Sequence, residues 1–124
     1  MSIIWFNEKP KDCVATITAS NITLNKPASN YFVDVYAVML GIDKSDGEIL
    51  IKPIDRTTIE NKSISKADYY KITIKSSYGR VTNKAFIELI SSEFNLQIEN
   101  PQKFSACWDE KEKLLRIKIM EVIK

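Results

Sequence analysis

Along most of the chain, apolar and polar residues follow one of two periods, and the elements can be read from where the period changes. Residues 13–18 (CVATIT) alternate with β-branched positions and predict a strand, and Ile22-Thr23-Leu24 predicts a second, shorter one. Pro27 and Ser29 then signal a helix start, with Ser29 at the N-cap. Phe32, Val35, Tyr36, Met39 and Leu40 follow at helical spacing as one buried stripe, and Gly41 ends the helix in the left-handed position. Residues 44–47 (KSDG) make a turn, and residues 48–52 (EILIK) a strand that Pro53 stops.

A second series starts at residues 70–75 (YKITIK), an alternating strand. Gly79 gives a bend, Arg80-Val81 a short extended piece, and Thr82 or Asn83 an N-cap. Phe86, Leu89, Ile90 and Phe94 form the next helical stripe, which Asn95 closes. Residues 103–108 and 114–120 read as two strands joined by the charged turn 109–112.

At an offset of 54, Phe32 falls on Phe86, Val35 on Leu89, Tyr36 on Ile90 and Leu40 on Phe94, with Ser29 on Asn83 and Gly41 on Asn95. The match predicts a duplicated strand–helix–strand unit. Residues 1–54 form the first β-α-β repeat with an N-terminal strand, 55–68 a polar linker, and 69–124 the second repeat with a C-terminal hairpin. Neither half is large enough to bury a sizeable core alone, so the two are expected to share one. Trp5 and Phe6 are expected to add an N-terminal strand or to cover one end of that core. The fold class is α+β, built from these tandem units.

Composition removes most chemistries. A chain of 124 residues with 44% hydrophobic and 27% charged residues is an ordinary globular domain. It contains no histidine, so a Ser-His-Asp or Cys-His triad cannot be built and the commonest zinc ligand is missing. Cys13 and Cys107 belong to no C-x-x-C pair and read as two reduced, mostly buried thiols. The acidic groups Asp43, Asp46, Glu48 and Asp109, Glu110, Glu112 lack calcium-loop spacing and read as exposed turns. The three glycines supply no phosphate-cradling loop. No enzyme activity, cofactor or metal is therefore expected. The apolar run 32–42 is too short to span a membrane, and the chain reads as cytoplasmic.

Charge is unevenly placed. The net charge is +2, but residues 1–62 carry −1 and residues 63–124 carry +3, so an anionic partner is expected on the second half. There the run Ser77-Tyr78-Gly79-Arg80-Val81-Thr82-Asn83-Lys84 resembles the opening of the AbrB/SpoVT/MazE superfamily. That family begins with a strand and Gly-Arg-(Val/Ile)-x-(Ile/Leu)-Pro-Lys, then a short helix, a Leu-Gly-Ile helix end and a β-hairpin. Residues 22–27 (ITLNKP) are a looser echo, and Leu40-Gly41-Ile42 resembles the helix end. Two copies in one chain resemble the MraZ arrangement. Asn83 stands where the family has proline, and Glu88 where it prefers a base.

The resemblance implies a swapped-hairpin-like small barrel or two-layer core and a DNA-binding regulator. The residues it nominates are Arg80 and Lys84 beside the loop, Lys75 on the preceding strand, and Lys26 as their counterpart in the first copy. Arg80 suits a guanine edge and the lysines suit phosphates. Taken singly, each reads more readily as a solvated surface charge. Tyr69, Tyr70 and Tyr78 lie among basic residues, but alternation assigns Tyr70 to the core. The open alternatives for partner are duplex DNA, self-association, or another protein bound by an assembly module that keeps the fold without binding DNA.

Overall fold

A computed structural model describes residue 3, residues 12–57 and residues 68–123, with no side-chain burial for 121–123. The expected N-terminal strand at Trp5 and Phe6, and most of the expected linker, lie outside these residues. Among the described residues the strands are β1 (Cys13–Ile17), β2 (Asn21–Asn25), β3 (Ala37–Asp43), β4 (Glu48–Ile54), β5 (Thr73–Ile74), β6 (Tyr78–Thr82), β7 (Gln102–Asp109) and β8 (Leu114–Ile123). The helices are α1 (Lys26–Ser29), extended by a 3₁₀ turn over Asn30–Phe32, and α2 (Lys84–Glu93). This is a small, sheet-rich α+β fold.

All eight strands join one antiparallel sheet in the order β3-β4-β8-β7-β1-β2-β6-β5, curled into a half-barrel. Strands from the two ends of the chain alternate in it: β4 pairs with β8, β1 with β7 and β2 with β6. One core follows from that interleaving. Ile17, Ile22, Leu24, Phe32, Ile49, Ile51, Val81, Ile90, Phe104, Leu115 and Ile117 are all fully buried in a single cluster.

The expected first helix is the main correction. Residues 37–43 are a strand, paired over seven positions with β4 from Ala37↔Ile54 to Asp43↔Glu48. The helical stripe was a coincidence of spacing within an apolar run. Val33 is extended and Asp34 takes φ 65°, so the chain leaves helical geometry four residues before β3 begins. The superposition of Phe32, Val35, Tyr36 and Leu40 on the second helix therefore has no structural counterpart. The cap moves as well: Asn25, not Ser29, accepts the N–H of Ala28, and Ser29 is buried with its hydroxyl on the Lys26 carbonyl.

Elsewhere the pattern holds with shifts of extent. Residues 70–75 yield only the two-residue β5, whereas the Arg80-Val81 piece is the middle of the five-residue β6. Asn83 caps α2 by accepting the N–H of Phe86 at 3.0 Å. On α2 the buried positions are Phe86, Ile87 and Ile90, and Leu89 faces outward. Gly79 is needed for a close approach: a Cβ there would sit 2.9 Å from Ile74 Cδ1 and 3.1 Å from Ser29 Cβ. Cys107 is exposed rather than buried, and Cys13 is half-buried, its thiol pKa pushed up mainly by burial. No helix among the described residues is long and apolar enough to cross a membrane.

Candidate nucleic-acid interface

Strand alternation sorts β1, β2, β6 and β7 into an inner, apolar face and an outer, polar one. Ala15, Ile17, Ile22, Leu24, Gly79, Val81 and Phe104 point inward. The register then aligns the outward residues. Lys103 lies opposite Thr16, Thr16 opposite Thr23, Thr23 opposite Arg80, and Arg80 opposite Thr73. A straight row of two cations and three hydroxyls thus crosses five strands, and no carboxylate stands in it. At about 4.8 Å per strand the two cations are roughly 14 Å apart along it.

Arg80 is held without being neutralised. Its Nε donates to Thr23 Oγ1 at 3.4 Å, and its guanidinium lies 5.0 Å from the Tyr78 ring centroid. Among the described residues it has no carboxylate partner. Such a guanidinium keeps most of its donors for an incoming acceptor.

The four residues nominated from sequence do not converge on one point. Lys75 closes the turn between β5 and β6, its N–H donating to the Tyr78 carbonyl at 2.8 Å. Lys26 reaches the same turn from α1, Nζ donating to the Ser76 carbonyl at 2.7 Å. Lys84 opens α2 at the opposite end of β6 and borders a shallow depression with Ile87, Glu88 and Leu96. All four are exposed. Arg80 sits between the ends, and Lys26 and Lys84 flank the β2·β6 ladder roughly 20 Å apart at about 3.3 Å per residue. Lys103, Thr16 and Thr23 escaped the sequence reading. Alternation marks each as outward, but only the register aligns them with Arg80.

The other side of the sheet differs electrostatically. Arg116 on β8 donates from Nε to Asp109 Oδ2 at 2.9 Å and from Nη1 to Glu48 Oε1 at 3.0 Å, with Asp43 at 3.8 Å. The Asp43 carboxyl is held below its usual range first by the Asp46 backbone N–H, and that of Asp109 first by the Glu112 backbone N–H and then by Arg116. Carboxylate oxygens of Asp43, Asp46 and Glu48 come within 4.8 Å of one another. Arg116 and Lys118 already face that group, so its charge is met from within the chain. Tyr70, expected in the core, is 39% exposed.

Comparison with family models, curated proteins and solved structures finds no match for this chain.

Proposed function

We propose that the chain is an internally duplicated, swapped-hairpin-type protein that binds duplex DNA through the outer face of β7, β1, β2, β6 and β5. The observation that carries the binding is the row Lys103–Thr16–Thr23–Arg80–Thr73, cationic and free of carboxylates. Phosphate oxygens accept from Lys, Arg and Thr alike, and a desolvated carboxylate in such a face would repel them. Lys26 and Lys84 extend the positive surface to both ends of the ladder, and Lys75 adds to the end near the turn.

The duplication reading rests on more than charge. Exchanging β1 with β5, β2 with β6, β3 with β7 and β4 with β8 maps six of the seven strand neighbours onto one another; β1·β7 maps onto the seam between β3 and β5, which is bridged only at Val38 and Tyr70. Under it, the row Thr16–Thr23–Arg80–Thr73 maps onto itself. The positive-φ residues among those described fall into two pairs: Asp34 with Asn95 after the helical segments, and Gly47 with Lys113 closing the hairpin loops. Asp43 and Asp109 open those loops, each accepting an N–H three residues on, from Asp46 and Glu112. Asn25 and Asn83 cap the two helices through the same i+3 bond. Within this pairing Arg80 has Thr23 as its counterpart, so the face carries one central arginine and favours a target without two-fold symmetry.

Fluorescence anisotropy with a labelled random-sequence duplex, titrated from low to moderate salt, tests the binding. The expected log–log slope is about −3, from three to four phosphate contacts. Arg80→Ala with Lys103→Ala should flatten it by about 2. Absence of binding at low salt would falsify the reading.

A further inference from the structure

The sheet is not closed evenly around its circumference. On one side β1 and β7 are joined over five register pairs, from Cys13↔Ala106 to Ile17↔Gln102. On the other, β3 meets the chain ahead of β5 through a single pair, Val38↔Tyr70, held by two backbone bonds of 2.8 Å. Pro53, which has no N–H, stands opposite Val38 on β4, in keeping with Val38 directing its own groups to the seam. By antiparallel alternation Leu40 and Ile42 direct their N–H and C=O groups the same way. Among the described residues no backbone partner meets them there.

Edge strands of natural proteins are commonly blunted by lysine, proline or a bulge. This one carries Leu40-Gly41-Ile42. Beside it runs a groove of about 560 Å³, walled on the far side by Phe86 and Leu89 of α2, with Tyr70 at one end. Leu89 is 45% exposed on that wall. Beyond the Val38–Tyr70 bridge the seam opens again into a depression of about 600 Å³ lined by Tyr36, Tyr69, Lys71 and Thr73. The Arg56 guanidinium lies 5.3 Å from the Tyr36 ring centroid. No carboxylate is among the residues that line either depression.

Gly41 adds an independent pointer. A Cβ at this position would meet only Leu50 Cβ, at 4.0 Å, which is ordinary contact, and the backbone is not left-handed. Among the described residues nothing requires a glycine here, and one inside a strand costs about 0.5–1 kcal/mol relative to alanine. A glycine so placed marks where another backbone approaches closely.

We propose that this seam binds an extended peptide of a partner protein, added as a strand along the edge of β3 that has no backbone partner among the described residues. Its backbone pairs with Leu40 and Ile42, and alternate apolar side chains enter the groove against Phe86 and Leu89. Its acidic end lies beside Lys71, which lines the far depression, and Arg56, whose guanidinium lies over Tyr36 on its wall. Charge complementarity selects an acidic peptide over a basic or neutral one. This binding is independent of the DNA reading, whose row of residues touches the seam only at Thr73.

The test is selection of random peptides of about ten residues, displayed on phage, against the full chain, followed by anisotropy with the labelled winner. The winner should alternate apolar residues and end in Asp or Glu. Gly41→Val and Leu89→Lys should each weaken it at least about tenfold, the effect of losing one packed interface position. Arg56→Glu should weaken it several-fold and reduce its salt dependence. Gly41→Val keeps its urea midpoint, which separates lost binding from lost folding. The amides of Leu40 and Ile42 should exchange quickly in the free protein and slowly in the complex. Three outcomes overturn the proposal: no selected binder, a winner indifferent to Leu89→Lys that leaves both amides fast, or a wild-type dimer in light scattering that Gly41→Val dissociates.

Discussion

Arg80 and Arg116 hold similar places in the sheet and meet opposite surroundings. Each lies within an antiparallel ladder that joins a strand of residues 13–54 to one of residues 73–123, Arg80 opposite Thr23 and Arg116 opposite Leu50. Arg116 is enclosed by Asp109, Glu48 and Asp43, and Glu48 is only 8% exposed. Arg80 rests on a tyrosine ring and one hydroxyl. A guanidinium whose charge is met by the chain's own carboxylates has little left for a partner, whereas one held only by neutral groups retains its field. The β4·β8 ladder therefore uses its arginine for cohesion, and the β2·β6 ladder presents one.

The largest test asks whether the two ladders share one core. Leu24→Ala under β2 and Ile51→Ala under β4 should each cost about 3 kcal/mol in a single urea transition. Two separate transitions would show that the ladders unfold as separate units.

Next in size is the contrast between the arginines themselves. Arg116→Met leaves the buried Glu48 with Lys118, at 3.8 Å, as its one ion-pair partner among the described residues and should cost about 2 kcal/mol. Arg80→Met should shift stability by less than about 0.5 kcal/mol. If the two substitutions cost the same, the distinction between a cohesive and a presented arginine fails.

Acid should weaken the β4·β8 side through Asp43 and Asp109. Asp43 and Asp109 have folded pKa values below the usual 3.8, chiefly through backbone N–H bonds. The unfolded chain then binds these protons more tightly, so the contribution is complete above the usual value and disappears as pH falls through the folded ones. Urea midpoints should drop progressively as pH falls below about 5, and less so in Asp109→Asn. An unchanged slope in that variant would remove Asp109 from the account.

The smallest effect distinguishes the two hairpin loops. Gly47 takes φ 66° at no steric cost, while Lys113 takes φ 58° with a side chain. Lys113→Gly should stabilise by about 0.5 kcal/mol and Gly47→Ala should destabilise by about 1 kcal/mol, the latter sharpened by Met120 Cγ at 3.2 Å. Chemical denaturation of both variants checks the signs.

Sequence alone carried the strands with clean alternation, β1, β4, β7 and β8, because side-chain period is a local property. It also carried α2, with Asn83 one of two cap candidates and Phe86 and Ile90 buried, while Leu89 of the expected stripe faces outward. It misread residues 33–40, where an apolar run satisfied the helical period while the hydrogen bonds that decide the matter lie on β4. The interface was legible one residue at a time: Arg80 stood out within its motif, but Lys103 stood 23 positions away with nothing local to connect them.

What the chain's composition determined was subtraction and alternation: no histidine, hence no imidazole chemistry, and a period that fixed which residues face out. Which outward residues stand together was decided by the register across β7, β1, β2, β6 and β5. Which arginine is neutralised was decided by hairpin turns that bring Asp43 and Asp109 to Arg116 and, among the described residues, bring no carboxylate to Arg80. Both are long-range pairings, and a one-dimensional pattern sets the face of a residue without setting its neighbour.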